Sequence, residues 1–144
     1  MTELVSILLV DDSADDVELT LMALQSTKFA NDVNVVSDGV YAMQFLKNEG
    51  EYAEAQKPSL VMLDLNMPRK NGLQVLAEMK ADQNLRQIPV VILTTSQAEE
   101  DIVRSYDLGA NCFVSKPVDL EQLIKVVQAI DQFWFGVVQL PTGK

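Results

Sequence analysis

Acidic, hydroxyl and amine side chains follow four separate apolar runs of this chain. Asp11 and Asp12 follow the run 7–10, Asp64 follows 60–63, Thr94 follows 90–93, and Lys116 follows 112–115. If the runs are parallel strands of one sheet, all of these side chains meet at the same edge. Three carboxylates, a hydroxyl and an amine at one edge suit a divalent cation and a phosphoryl group.

The adjacent acids Asp11 and Asp12 are the first candidates for a cation site. Like carboxylates held close together repel each other, and a bound cation is the natural compensation. The alternative is that they are acids at a helix start, favoured by the helix dipole. That alternative suits Asp15 and Asp16, for which Ser13 is an available cap, better than it suits a pair directly after an apolar run.

Asp64 is the candidate nucleophile. It lies between two leucines, which is a poor setting for a solvated surface acid, and Pro68 directs the chain out of the strand shortly afterwards. A carboxylate can attack phosphorus to form an acyl phosphate. The alternative reading is a turn residue at the strand end. Thr94 and Lys116 are ordinary residues when taken alone, but beside Asp64 they can hold phosphoryl oxygens.

The elements that must position these residues are read from apolar and β-branched runs. Strands are predicted at 5–10, 33–36, 59–64, 89–94 and 112–115. The stretches between them have helical periodicity and follow helix-start signals, namely Ser13 with Asp16, Asp38-Gly39, Asn71-Gly72, Ser96 and Asp119. This alternation predicts an α/β fold with a parallel sheet that is covered by helices on both faces.

Composition excludes several classes of function. The 144 residues fit one domain, and the net charge of -10 with no basic patch argues against nucleic acid binding. No apolar run reaches the length of a membrane span, and the start of the chain lacks a signal-peptide pattern, so we expect a cytoplasmic protein. The absence of histidine excludes Ser-His-Asp catalysis, and a metal must use oxygen ligands, which favours magnesium, calcium or manganese.

The ordered set of motifs resembles the receiver domain of two-component response regulators, over nearly the whole chain. Asp64 to Thr94 spans 30 residues and Thr94 to Lys116 spans 22, as in that family. The set also includes the acid pair, Asn66-Met67-Pro68, Gly72, Gly109-Ala110 and Lys116-Pro117. The resemblance implies a flavodoxin-like, doubly wound sheet of five parallel strands in the order 2-1-3-4-5. It also implies a single domain over 1–144, with its core at about 4–132 and a tail at 133–144.

The resemblance implies a role for each acid at the edge. Asp64 would accept a phosphoryl group from a histidine of a sensor kinase. The side chains of Asp12 and Asp64 and the backbone carbonyl of Asn66 would hold Mg²⁺, or Mn²⁺ or Ca²⁺ in its place, and Asp11 would act largely through ordered water. Such a protein is not an enzyme beyond its own phosphorylation and dephosphorylation.

The remaining site residues form the implied switch. Lys116 would pair with phosphoryl oxygens, Thr94 would turn toward the phosphate, and the rotamer of Phe113 would follow. Many receivers have tyrosine where Phe113 stands, so a hydrogen bond from that position is lost here.

A narrower resemblance is to the small single-domain regulators that partner cyanobacterial and bacterial phytochromes. It is carried by residues 15–19, by a polar surface segment at 49–57 read as solvated, by residues 66–72, and by Phe133, Trp134 and Phe135. It implies a phytochrome as the sensor kinase.

The output of the switch is expected to be a change in protein association, because no output domain is recognised within the 144 residues. Phe133, Trp134 and Phe135 cannot all face the core from one helix, so we expect an interface there, most simply of a homodimer. The alternative is that the tail 136–140 folds back and covers these aromatic side chains.

Two other functions fit these residues less well than the receiver does. A phosphatase of the haloacid-dehalogenase type needs a second acid two residues after the nucleophile, where this chain has Asn66. A receiver-like interaction module that is never phosphorylated commonly loses one of the key residues. The acid pair, Asp64 and Lys116 are all present here, which argues against that module.

Overall fold

The computed structural model describes residues 5–25, 31–65, 70–94 and 112–115. Strands and helices alternate from residue 5 to residue 94, with a short 3-10 helix at Gly50–Tyr52, and a fifth strand is described at 112–115. The elements are β1 Val5–Val10, α1 Ala14–Gln25, β2 Asn31–Val36, α2 Gly39–Leu46, β3 Leu60–Leu63, α3 Gly72–Ala81, β4 Val90–Thr94 and β5 Cys112–Ser115. None of the described helices combines the length and the apolar character needed to cross a membrane.

The strands form one parallel sheet in the order β2-β1-β3-β4-β5, which confirms the predicted order. β1 lies between β2 and β3, so that Val10 is opposite both Val36 and Leu63. β2 begins two residues earlier than predicted, because Asn31 and Asp32 pair with the start of β1. These two polar residues lie at the amino end of an edge strand, where an apolar run is not required.

The central strands are buried on both faces, as a covered parallel sheet requires. Leu8 and Val10 of β1 contribute to one continuous apolar cluster with α2 and α3, whose buried members include Phe45 and Met79. Ile7 and Leu9 of β1 point to the opposite face and are equally inaccessible to water. Packing on both faces thus fixes where the carboxyl ends of the central strands lie at the sheet edge.

Side-chain caps set the starts of the three described helices, as the sequence predicted. The bonds are Asp16 N to Ser13 Oγ at 3.3 Å, Tyr41 N to Asp38 Oδ1 at 2.9 Å, and Gln74 N to Asn71 Oδ1 at 3.0 Å, with Asn71 N to Gln74 Oε1 at 2.9 Å. Each cap satisfies an amide of the first turn that has no partner within its own helix. The helices predicted after Ser96 and Asp119 lie outside the described residues.

The segment between α2 and β3 is more ordered than its polar sequence predicted. Tyr52 packs against Phe45 with ring centroids 5.4 Å apart, and Ala55 also contacts the core. Asn48 adopts a left-handed φ of 56°, and its Nδ2 donates to the carbonyls of Tyr52 and Ala55 at 3.2 and 2.6 Å. The glutamates of the segment remain exposed, so only its outer side matches the solvated segment predicted.

Candidate functional site

Two acids of the candidate site are anchored by backbone hydrogen bonds between neighbouring strand ends. Asp11 N donates to the carbonyl of Val36 at 3.1 Å, and Asp64 N donates to the carbonyl of Val10 at 2.9 Å. Asp11 therefore extends the contact between β1 and β2, and Asp64 extends the contact between β1 and β3. The strand order reverses between β1 and β3, whose carboxyl ends carry these acids, and such a switch point is where sites form in open α/β sheets.

The carboxylates of Asp11, Asp12 and Asp64 converge at this edge. Each offers an oxygen, and these oxygens all lie within 4.8 Å of one another. Asp11 and Asp64 are only 2% and 6% exposed, whereas Asp12 is exposed to solvent. Hard oxygen donors at this separation fit a divalent cation such as Mg²⁺ or Mn²⁺. Mutual repulsion between the carboxylates would be relieved by that charge.

Local hydrogen bonds orient the acid pair. Asp11 Oδ1 accepts a bond from the backbone N–H of Ser13 at 3.0 Å, and the hydroxyl of Ser13 in turn caps α1 through Asp16. The chain thus turns directly from β1 into α1 while Asp11 stays at the sheet edge. The first-turn acids Asp15 and Asp16 are outside the three-carboxylate cluster, in line with the helix-start reading of those two residues.

The connection after Asp64 passes very close to the start of α3. Gly72 N donates to the carbonyl of Leu65 at 3.1 Å, and a Cβ added to Gly72 would lie 2.3 Å from the carbonyl oxygen of Asp64. Only glycine permits this approach, since real Cβ atoms essentially never come within 3.0 Å of another heavy atom. The peptide that carries Asp64 is therefore held directly by the start of α3.

The start of α2 makes a similar approach that the sequence analysis missed. Gly39 N donates to the carbonyl of Lys70 at 3.2 Å, and a Cβ added to Gly39 would lie 2.2 Å from that oxygen. Asp38-Gly39 was interpreted only as a helix-start signal. A contact between residues so far apart in sequence leaves no local pattern that could reveal it.

Only some of the other predicted site residues belong to the part of the chain that the structure describes. Thr94 ends β4 opposite Ser115 of β5, and Phe113 pairs with Ile92, so the backbones of both predicted switch residues belong to the sheet. Asn66, Lys116, Phe133, Trp134 and Phe135 lie outside the described residues. Their predicted roles stay predictions.

A family model for the response regulator receiver domain matches residues 7–128. The chain belongs to the response regulator receiver family. Receiver domains are signalling modules that receive their signal from histidine kinases and bind a divalent metal, and they are generally not enzymes. The three-carboxylate cluster lies at the sheet edge of that fold.

Individual relatives agree with the family and with the narrower resemblance. Response regulator Rcp1 of Synechocystis is 44% identical over 137 residues, which cover 95% of this chain and 93% of Rcp1. The phosphorylated cyanobacterial phytochrome response regulator RcpA is 45% identical with a TM-score of 0.89, covering 97% of this chain and 100% of RcpA. The Mn²⁺-bound form of Rcp1 has a TM-score of 0.85 at 44% identity, over 95% of this chain and 99% of that one.

Proposed function

We propose that this protein is a phosphorylatable signal receiver that takes a phosphoryl group on Asp64 from a phosphohistidine of a sensor kinase. The observation that carries the proposal is the convergence of Asp11, Asp12 and a buried Asp64 within 4.8 Å. A purely structural acid pair would not require a third carboxylate on another strand. The membership of the receiver family supports the same function.

The reaction proposed for Asp64 is a simple displacement at phosphorus. A carboxylate oxygen of Asp64 forms a bond to phosphorus as the N–P bond of the phosphohistidine breaks, and the imidazole nitrogen keeps the electron pair. Asp12, Asp64 and the backbone carbonyl of Asn66 would hold Mg²⁺, with Asp11 acting through water. When bound, the cation neutralises negative charge on the acids and the phosphoryl oxygens.

Burial gives Asp64 a defined attack position. Its backbone is tied to Val10 on one side, and its own carbonyl lies against Gly72 on the other. The carboxylate therefore has little freedom to leave the edge, which lowers the entropy lost on reaching the transferring phosphorus. Lys116 would neutralise a phosphoryl oxygen, while Thr94 and Phe113 would report the modification to the outer surface of the sheet.

The proposed kinase is a phytochrome, on the ground of the similarity to the phytochrome response regulator RcpA. We propose a cytoplasmic protein whose output is phosphorylation-dependent association with another protein. Phe133, Trp134 and Phe135 are proposed as the interface of a homodimer.

The central test is phosphorylation by a small donor. The wild type, Asp64→Asn and Asp15→Asn are incubated with acetyl phosphate and Mg²⁺, and their intact masses are measured. Asp15→Asn is the matched control, because Asp15 is an exposed acid outside the cluster. We expect one phosphoryl adduct on the wild type and the control and none on Asp64→Asn. No adduct on the wild type would favour the non-phosphorylated interaction module, and an adduct that survives Asp64→Asn would overturn Asp64 as the acceptor.

The identity of the kinase has a separate test. Labelled phosphoryl groups are transferred from a phytochrome histidine kinase and, in parallel, from a histidine kinase without a phytochrome module. A clear preference for the phytochrome kinase is expected. Equal transfer rates from both donors would remove the phytochrome assignment without touching the receiver function.

The homodimer is tested by light scattering of the wild type and of a double variant, Phe133→Ala with Phe135→Ala. The control is Leu19→Ala, which removes an exposed apolar side chain from α1. A dimeric wild type and control beside a monomeric double variant would support the interface. Equal monomeric masses for all three proteins would eliminate it.

A further inference from the structure

The segment that begins at Asp64 is anchored at both of its described ends by glycines of neighbouring helices. At its start, Gly72 N bonds to the carbonyl of Leu65, and Gly72 leaves no space for a Cβ beside Asp64. At its end, the carbonyl of Lys70 accepts a bond from Gly39 N at 3.2 Å. The second anchor belongs to α2, which contributes no carboxylate to the three-acid cluster.

The contact between Gly39 and Lys70 has no spare room. A Cβ on Gly39 would lie 2.2 Å from the carbonyl oxygen of Lys70, 2.9 Å from its carbonyl carbon and 2.8 Å from Cγ2 of Val75. Val75 is completely buried in the core, so its side chain could move aside only by disturbing that packing. A side chain at position 39 would therefore displace Lys70 and the residues that lead from it to Gly72.

Lys70 is also held by its side chain. Its Nζ forms an ion pair with Oε2 of Glu78 on α3. The carbonyl of Lys70 thus bonds to α2 while its ammonium bonds to α3. The bond from Gly39 also satisfies an amide of the first turn of α2 that has no partner within the helix.

From these contacts we infer that Gly39 is a positioning residue for the cation and phosphoryl site. It lets the carbonyl of Lys70 bond to the start of α2, and so positions the backbone from Lys70 to Gly72, which lies directly against the carbonyl of Asp64. This inference rests on the proposed function of Asp64 and its cation. Gly39 is not proposed as a ligand and acts on Asp64 through this backbone contact.

The first test compares Gly39→Ala with Gly50→Ala. Gly50 has a left-handed φ of 59° and open space around it, so alanine there strains the backbone far from the carboxylates. We measure the Mn²⁺ dissociation constant by calorimetry, the rate of acetyl phosphate labelling and the thermal midpoint. Gly39→Ala is expected to weaken Mn²⁺ binding roughly tenfold or more, as is typical when a ligand's support is removed. Gly50→Ala should lower the thermal midpoint and leave Mn²⁺ binding unchanged.

The second test uses Glu78→Gln, which loses the ion pair to Lys70 without adding volume. Glu78 is partly exposed, so this variant should fold even if Gly39→Ala does not. We expect Mn²⁺ binding to weaken about twofold to fivefold, the range of one partly exposed ion pair. Glu49→Gln, which changes an exposed acid before the 3-10 helix, is the control and should bind as the wild type does.

The outcomes separate this inference from the proposed function. The first condition is that Glu78→Gln binds Mn²⁺ as the wild type does. If Gly39→Ala then also binds normally, or folds too poorly to be measured, the role of the contact between Gly39 and Lys70 is overturned. If the wild type binds Mn²⁺ and is labelled, the proposed function survives that result. A wild type that neither binds Mn²⁺ nor accepts a phosphoryl group overturns both.

Discussion

The segments before and after β3 are held in opposite ways. The segment before it is held mainly by residues close in sequence, because Asn48 bonds to the carbonyls of Tyr52 and Ala55 and Tyr52 packs on Phe45 of the preceding helix. The described residues after it are held by the starts of two helices: Leu65 bonds to Gly72 of α3, and Lys70 bonds to Gly39 of α2. The first segment depends on local contacts, and the described part of the second depends on backbones brought together by the fold.

This difference separates stability from function along one short stretch of chain. Changes in the segment before β3 should alter the free energy of unfolding without reaching the carboxylates, which lie at the other end of β3. Changes at the close backbone contacts should move Asp64 as well, because its peptide is part of the contact. The variants below test this separation.

Gly72→Ala should have the largest effect on stability. Its Cβ would meet the carbonyl oxygen of Asp64 at 2.3 Å and Cα of Leu65 at 2.7 Å, and both atoms belong to backbone that is buried. We expect a loss of about 3 kcal/mol in urea unfolding, near the upper end for overpacked sites. Acetyl phosphate labelling should fall as well. A loss no greater than that of Gly50→Ala would contradict the close contact.

Asn48→Ala should be the next most damaging change and should affect stability alone. It removes two hydrogen bonds and places alanine at a φ of 56°, which costs about 1–2 kcal/mol. Asn48→Gly keeps the backbone freedom and should cost less, as urea unfolding of both variants would reveal. Mn²⁺ affinity should stay at the wild-type value in both, and a weakened affinity would break the proposed separation.

Asp12→Asn should stabilise the protein slightly when no divalent cation is present. Removing one of three converging negative charges relieves repulsion, so we expect the thermal midpoint to rise by about 2 °C at low ionic strength. The rise in thermal midpoint that Mn²⁺ binding gives the wild type should be absent from Asp12→Asn. Asp15→Asn is the control and should keep the Mn²⁺ effect. An unchanged Mn²⁺ effect in Asp12→Asn would show that Asp12 is not a ligand.

The smallest effect concerns Tyr52 at alkaline pH. Burial, followed by the charge and hydrogen bond of Glu51, raises the pKa of Tyr52 above its ordinary value of 10.0. Its contribution to stability is complete below that value and is lost as pH rises through the higher folded pKa. Between neutral and alkaline pH, the free energy of unfolding should therefore fall more steeply with pH for the wild type than for Tyr52→Phe.

Lys80 titrates over the same range of pH and changes the free energy of unfolding in the opposite direction. For this reason the effect of Tyr52 has to be measured against the variant Tyr52→Phe. Burial lowers the pKa of Lys80 from 10.5, although its ammonium bonds to the carbonyls of Arg86 and Ile88. Its contribution is complete above 10.5 and is lost as pH falls through the lowered pKa. Since Lys80 is present in both proteins, its effect cancels. Identical pH profiles for wild type and Tyr52→Phe would contradict the raised pKa.

Much of the fold was predictable because its signals are local. Apolar runs located the five strands, and the caps at Ser13, Asp38 and Asn71 located the starts of three helices. The start of β2 was misplaced because Asn31 and Asp32 join the sheet through backbone pairing, which hydropathy does not record. The order of segment 47–59 was underestimated for a related reason, since the left-handed turn at Asn48 places Tyr52 on the core.

The sequence by itself determined which acids would share an edge. Asp11, Asp12 and Asp64 each end an apolar run, and parallel strands with right-handed crossovers place such ends on one side of a sheet. Only the tertiary structure decided how closely the acids converge and what holds them there. The separation of their oxygens and the seating of Lys70 on Gly39 depend on packing between residues distant in the chain, and packing distances have no local sequence signal.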